Sequence, residues 1–180
     1  MRVITGKARG IVLKTPNGMA TRPTADLVKE ALFSIIQFDV PTAKVLDLFG
    51  GTGQLGIEAL SRDAASAVFV DEREDACKLI RENLKRTKLE QFARVIRSDY
   101  MAYLKTCKEK YDIILLDPPY AEVFLENSLK MITEIDILQS GGIIVSERPY
   151  GKELSWDFPG YTRSKDYKYG NTVITIFRKQ

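Results

Sequence analysis

A chain of 180 residues is about one domain long, enough to bury a sizeable apolar core and too large for a peptide hormone or a disulfide mini-scaffold. Its 44% hydrophobic and 28% charged residues are usual for a soluble globular protein, and no apolar run approaches the roughly 18 residues of a membrane span. The net charge of +3 is unevenly spread: residues 1–25 hold Arg2, Lys7, Arg9, Lys14 and Arg22 and no acid, while the remainder sets 22 basic against 24 acidic side chains.

In chain order, Val3 to Thr15 reads as a small hairpin around Gly6 and Gly10, and after Pro23 the segment Asp26 to Gln37 reads as an amphipathic helix. Together they predict a basic N-terminal extension over residues 1–40, ahead of an α/β domain over residues 41–180. Five short runs rich in Val, Ile and Leu follow, Val45 to Phe49, Ala67 to Asp71, Arg94 to Asp99, Tyr111 to Asp117 and Gly142 to Glu147. Bounded by Gly, Pro or charged residues, they read as buried parallel strands. Leu55 to Arg62, Glu74 to Thr87, Tyr100 to Lys108 and Val123 to Glu134 space their apolar residues helically, which predicts helices on both faces of the sheet. Tyr161 to Lys168 and Thr172 to Arg178 alternate as strands about the turn Tyr169, Gly170, Asn171 and predict a closing antiparallel hairpin.

The absence of histidine removes His-based acid/base chemistry, the Ser-His-Asp triad and most zinc or iron sites. Two isolated cysteines, Cys77 and Cys107, make neither a disulfide framework nor a zinc site, so no metal is expected. The beginning MRVITGKARG lacks the apolar stretch of a secretory signal, and a reducing cytoplasm is the expected compartment.

The first strand runs into DLFGGTGQLG, which contains GxGxxG from Gly51 to Gly56. Glycines there permit a tight turn and close approach of a ligand to the N-terminus of the next helix. Twenty residues past Gly51 the second strand ends at Asp71, where a carboxylate can accept hydrogen bonds from a ribose. Nicotinamide dinucleotides and S-adenosylmethionine share this architecture. Asp47, however, lies four residues before Gly51, where it would repel a pyrophosphate and suit a cofactor with an ammonium group.

Asp117, Pro118, Pro119 and Tyr120 close the fourth strand, and the two prolines lock the backbone where it leaves the sheet. An amine conjugated to a base ring is a poor nucleophile because its lone pair is delocalised. Acceptors at both of its N–H bonds favour pyramidalisation and aim the lone pair at an electrophile, a task that fits the Asp117 carboxylate and the Pro118 carbonyl. Tyr120 can stack on a base held out of its helix.

DLFGGTG, the Asp71 strand end and DPPY resemble the class I S-adenosylmethionine-dependent methyltransferases that modify exocyclic amines. With RVITGKARG, TRPTADLVKEALF and DLFGGTGQLGIEALSRDA added, the whole chain resembles the bacterial 16S ribosomal RNA guanine-N2 methyltransferase family. That resemblance implies a Rossmann-like, mostly parallel seven-stranded sheet and methyl transfer from S-adenosylmethionine, leaving S-adenosylhomocysteine, to N2 of one guanine in small-subunit ribosomal RNA. By the same resemblance Asp47, Phe49, Gly51 and Gly53 line the methionine end of the cofactor, Asp71 holds the ribose, and Asp99 meets the adenine amine. Asp117, Pro118, Pro119 and Tyr120 then orient the guanine, with no general base needed before transfer. Arg22, Pro23 and Thr24 match a family motif expected near the mouth of the site, and Ser34 departs from the asparagine usual in the family's LFN.

Phosphate contacts from Arg2, Lys7, Arg9, Lys14 and Arg22 would register a structured RNA, free or in an assembling 30S particle, while DPPY handles the base. Arg163, Lys165, Tyr167, Lys168 and Tyr169 offer a second mixed basic and aromatic surface. A monomer is expected. The rival acceptors are adenine N6 of DNA and a protein glutamine amide. A separate target-recognition domain is missing for the first, and the second usually pairs with asparagine at the place of Asp117. A dinucleotide oxidoreductase lacks a histidine proton donor, and a non-catalytic RNA-binding protein would not need Asp117 beside a complete glycine turn.

Overall fold

Residue type and spacing alternate along the chain between strand and helix, and the computed structural model bears out the order. It describes residues 1–16, 23–119, 122–154, 156 and 158–180, with the backbone alone at 23–25 and 122. Helix α1 spans Pro23–Ile35 and strand β1 Lys44–Asp47; α2 (Gln54–Ser61), β2 (Ser66–Asp71), α3 (Glu74–Thr87), β3 (Ala93–Arg97), α4 (Tyr100–Thr106), β4 (Tyr111–Leu116), α5 (Glu122–Ile135) and β5 (Leu138–Pro149) follow. Three strands complete the chain, β6 (Tyr161–Arg163), β7 (Tyr167–Tyr169) and β8 (Thr172–Lys179).

These strands form one sheet in the order β3-β2-β1-β4-β5-β8-β6, with β7 also paired to β8. The β1 to β5 pairings are parallel and those of β8 antiparallel, so the fold is the expected Rossmann-like α/β sheet with an antiparallel end. Eight strands replace the expected seven because the segment predicted as one strand from Tyr161 breaks in two. At the break Ile176 donates its N–H to Ser164 Oγ at 3.0 Å, and Asp166 accepts from Thr175 Oγ1 at 2.7 Å. Side chains there take over the bonding that a continuous ladder would supply.

Alternation along the strands builds two apolar layers. Val45, Ile113, Leu115, Ile143 and Val145 face α1, α2 and α3, whereas Leu46, Ile114, Leu116 and Ile144 face α4 and α5 through Tyr103, Leu104, Leu125, Leu129 and Ile132. Helix α3 shows why its ends fall as predicted. Glu74 and Asp75 occupy its first turn, Lys85 and Arg86 its last, and Lys88 ends it in the left-handed region at φ 57°.

The N-terminal forty residues pack into the first layer through Val3, Ala8, Leu13, Val28, Leu32, Phe33, Ile36 and Val40. Residues 1–14 make a narrow loop held by Val3 N–H to Ile11 O (3.0 Å) and the Arg2 to Val12 bridge, lying over the outer side of α2. Fully buried Glu58 of α2 accepts the Ile4 and Thr5 amides at 2.8 and 3.0 Å. Its carboxylate also meets Arg62 at 2.8 Å and lies 3.9 Å from buried Lys29, whose ammonium donates to Arg2 O at 2.6 Å. Each charge on the pair is compensated, as burial requires.

Candidate active site

Ligand-binding groups in an open parallel sheet collect at the carboxyl ends of the strands, where the chain order reverses. Here that reversal lies between β1 and β4, the first connecting outward through α2 to β2 and the second leading to β5. The register pairs Asp47 with Phe69 of β2 and Leu115 of β4, and Leu116 with Ser146 of β5. Leu48 N–H to Leu115 O (3.2 Å) and Gly50 N–H to Val70 O (2.8 Å) continue it past the end of β1. Two residues further on, Asp71, Phe49, Asp117 and Glu147 stand in one row along the edge.

The glycine turn bends round this edge. Gly51 has φ 54° and Gly53 φ 79°, left-handed values that favour glycine, and a Cβ on Gly51 would meet no atom nearer than 3.9 Å. Its side therefore opens on a cavity, whereas Gly56 packs so closely on Phe69 that a Cβ would fall 2.3 Å from the ring. Asp71 accepts Gly51 N–H at 2.9 Å and Arg73 N–H at 2.9 Å, tying the end of β2 to the turn.

A cavity of 410 Å³ opens between the two halves of the sheet. Gly51, Asp71, Asp99 and Asp117 contribute to its wall, with Phe49, Tyr100 and Phe124 as an aromatic side whose ring centroids lie 5.3 to 6.4 Å apart. Asp117 is exposed at this opening, and desolvation by the protein beside it raises its pKa to about 6. Burial does the same to Asp47, which reaches about 7 with Asp117 and Asp71 adding like charge. Glu147 is pushed well above the usual carboxylate range by burial, then by Asp117 and Asp47. Among the described residues no group of three or more acidic, Cys or His side chains is placed to hold a metal ion.

The structure thus gathers Phe49, Gly51, Asp71, Asp99, Asp117 and Pro119 at one cavity, with Pro118 just beside it. Asp47 and Gly53 depart from the expected cofactor wall. Asp47 is 2% exposed and accepts Gly56 N–H at 3.1 Å beneath the turn, so it organises the loop from below; Gly53 begins α2 against Ile57 and Ile80. Asp99 caps α4, its Oδ1 accepting the Met101 and Ala102 amides at 3.0 Å, and also faces the cavity. Tyr120 and Arg22 lie outside the described residues, as do the side chains of Pro23 and Thr24. Sequence reasoning missed Tyr100, Phe124 and Glu147; the aromatics follow a strand end and open a helix, while Glu147 gains its place only from pairing across strands.

Of the basic residues of the arm, Lys7 pairs with Asp63 at 2.7 Å and Lys14 with Glu82 at 2.7 Å, both at exposed positions. Arg2 and Arg9 instead line a 580 Å³ hollow with Asp26 and Glu30 and form no ion pair among the described residues. Near the far edge of the sheet Lys168 stacks its ammonium on the Tyr150 ring and Lys165 lies over Tyr167.

Comparison with known proteins agrees with this geometry. The family described as "Conserved hypothetical protein 95" matches residues 1–178. "Putative rRNA methyltransferase YlbH" of Bacillus subtilis (strain 168) is 38% identical over 183 residues, covering 100% of both chains. "Ribosomal RNA small subunit methyltransferase D" of Escherichia coli (strain K12) is 33% identical over 180 residues, which are 100% of this chain and 90% of the relative. A solved structure described as "Putative methyltransferase yhhF from Escherichia coli" superposes with a TM-score of 0.90 at 26% identity, covering 100% and 98% of the two chains. By fold, by the residues at its sheet edge and by a match over nearly its whole length, the chain belongs to the Conserved hypothetical protein 95 family.

Proposed function

We propose that the protein is an RNA methyltransferase that transfers a methyl group from S-adenosylmethionine to the exocyclic N2 of a guanine in small-subunit ribosomal RNA. The observation that carries this reading is the row of groups at the sheet edge: a glycine turn with Asp71 on one side of the chain reversal, and Asp117 with its two prolines on the other. The residues fit the cofactor. Gly51 leaves the cavity wall open where a Cβ would otherwise project, Asp71 keeps acceptor capacity beyond the two amides it receives, and the nearby carboxylates favour a cation. When bound, S-adenosylmethionine supplies an electrophilic methyl carbon on a sulfonium.

Asp117 accepts one N–H of the target amine and the Pro118 carbonyl the other, turning the nitrogen lone pair toward the cofactor cavity. Pro118 and Pro119 fix the direction of both acceptors. The nitrogen loses its proton only after it has become cationic by forming the new N–C bond, and the Asp117 carboxylate stands within reach of it. Phe49, Tyr100 and Phe124 keep water from one side of the cavity. Tyr120 stacks on the base, and Arg2, Lys7, Arg9, Lys14 and Arg22 in the extension of residues 1–40 hold phosphates of the RNA while residues 41–180 form the catalytic domain.

The relatives named as ribosomal RNA methyltransferases support this acceptor over adenine N6 of DNA or a glutamine amide. In this reading the enzyme works as a monomer in the cytoplasm, on ribosomal RNA or on an assembling 30S particle; among the described residues no helix is long and apolar enough to cross a membrane. The test is transfer of a tritiated methyl group to small-subunit ribosomal RNA, naked and in partly assembled particles, with nucleoside analysis. N2-methylguanosine is expected; label on another nucleoside or on protein overturns the acceptor.

A further inference from the structure

We infer that Glu147 reads the edge of the target base, a carboxyl oxygen accepting the ring N1–H that guanine carries beside its amine and adenine does not. This rests on the guanine-N2 reading and deepens it. Leu116 pairs with Ser146, so the next residues, Asp117 and Glu147, stand side by side on neighbouring strands, about 4.8 Å apart in a parallel sheet. Glu147 lies near enough to Asp117 and Asp47 for both to act on it as like charges. Glu147 lines a recess with Pro118 and Pro119, and the recess adjoins the cofactor cavity at Pro119. At 30 Å³ it has room for the hydrogen-bonding edge of a base and not for its ring.

Among the described residues nothing donates a hydrogen bond to the Glu147 carboxyl, although it stands among other acids at the sheet edge. A half-buried acceptor facing that recess is open to a donor, and a bound base would bring one. Guanine bears two kinds of donor on adjacent atoms, N1–H and the N2 amine, and they match two adjacent carboxyls. Adenine with its amine at Asp117 would turn the N1 lone pair toward Glu147, and oxygen against lone pair is repulsive. A site built to bond a donor rejects an analogue that lacks it far more sharply than an apolar pocket does.

The experiment compares kcat/KM on small-subunit RNA carrying guanine or 2-aminopurine at the target position; 2-aminopurine keeps the amine and lacks N1–H and O6. For Glu147→Ala we expect a fall of about 30-fold or more on guanine and less than about 3-fold on 2-aminopurine, so that the preference for guanine collapses. Glu147→Gln, which keeps the shape and an oxygen acceptor, should stay within about 10-fold of the native enzyme on guanine. Binding of S-adenosylhomocysteine by calorimetry checks that both variants are folded, and should be unchanged. Equal losses on both RNAs would assign Glu147 a purely structural role, and no loss on guanine would remove it from the base site; either overturns the inference. A native enzyme that methylates guanine N2 while Glu147→Ala behaves like it leaves the proposed function standing, whereas a native enzyme without guanine-N2 activity sinks both.

Discussion

Asp47 and Asp117 hold protons that an unfolded chain would already have lost, since burial of Asp47 and partial desolvation of the more exposed Asp117 raise their pKa values to about 7 and about 6. The folded protein therefore binds more protons than the unfolded one between about pH 4 and pH 7, and this pair's contribution to stability, full in acid, is lost as the pH rises through that window. A cationic ligand reverses the balance, because ionised carboxylates attract it. Affinity for S-adenosylmethionine should thus increase severalfold from pH 5.5 to pH 7.5 by calorimetry; a constant Kd would show that neither carboxyl titrates at the site. Asp117→Ala should lower methyl transfer about 100-fold or more and cofactor affinity by no more than the severalfold that ionisation contributes, because it removes an acceptor needed by the reacting amine. Retained turnover would exclude the amine-orienting role. At this scale the place of Asp117 and its two prolines at a strand end, and that of the glycine turn, were legible because each is a local string with a local geometry. The position of Asp47 was not: strand pattern marks the end of β1 but not that the Gly56 amide, nine residues on, draws the carboxylate beneath the turn.

The N-terminal loop is held by backbone contact as much as by side chains. Lys7 N–H reaches Ser61 O at 2.8 Å, Ala8 N–H reaches Ser61 Oγ at 3.0 Å, and Gly6 at φ 88° lies so close that a Cβ would fall 1.7 Å from Ser61 O. Gly6→Ala should detach this loop from α2, seen as faster proteolysis near the N-terminus with the sheet intact; unchanged protection would show that the loop docks by other means. Glu58→Ala should cost about 3 to 5 kcal/mol in urea unfolding, because Lys29 and two backbone amides lose their partner in a buried place. A loss below about 1 kcal/mol would mean that water replaces the carboxylate. Sequence foresaw α3 from Glu74 to Thr87 to the residue, since caps and charge bias act within one turn. It did not foresee the division into β6 and β7. That break depends on Asp166 meeting Thr175 and Arg148, residues that come together only when β5 and β8 pair.

Across the whole molecule the basic N-terminus is partly neutralised on folding. Lys7 and Lys14 are exposed and already paired with Asp63 and Glu82, contacts worth little in water, while Arg2 and Arg9 keep their charge unpaired among the described residues. Replacing both arginines by alanine should weaken RNA binding and reduce the slope of log K against log salt by about 2, measured by filter binding over a salt series. An unaltered slope would take this loop out of the RNA interface. The composition revealed the excess of charge, but which charges meet acids from residues 63 and 82 was settled by the three-dimensional packing alone.

The point where strand order reverses, between β1 and β4, also partitions the chain. Gly51, Asp71 and Asp99 all precede β4, while Asp117, Pro118, Pro119 and Glu147 all follow it. The groups proposed for the cofactor's ribose and adenine therefore precede β4 and those proposed for the reacting base follow it, while Asp117, Pro119 and Phe124 also wall the shared cavity. A chimera joined within β4 would take the glycine turn, Asp71 and Asp99 from one parent and the groups proposed to meet the base from the other, with the cavity wall assembled from both.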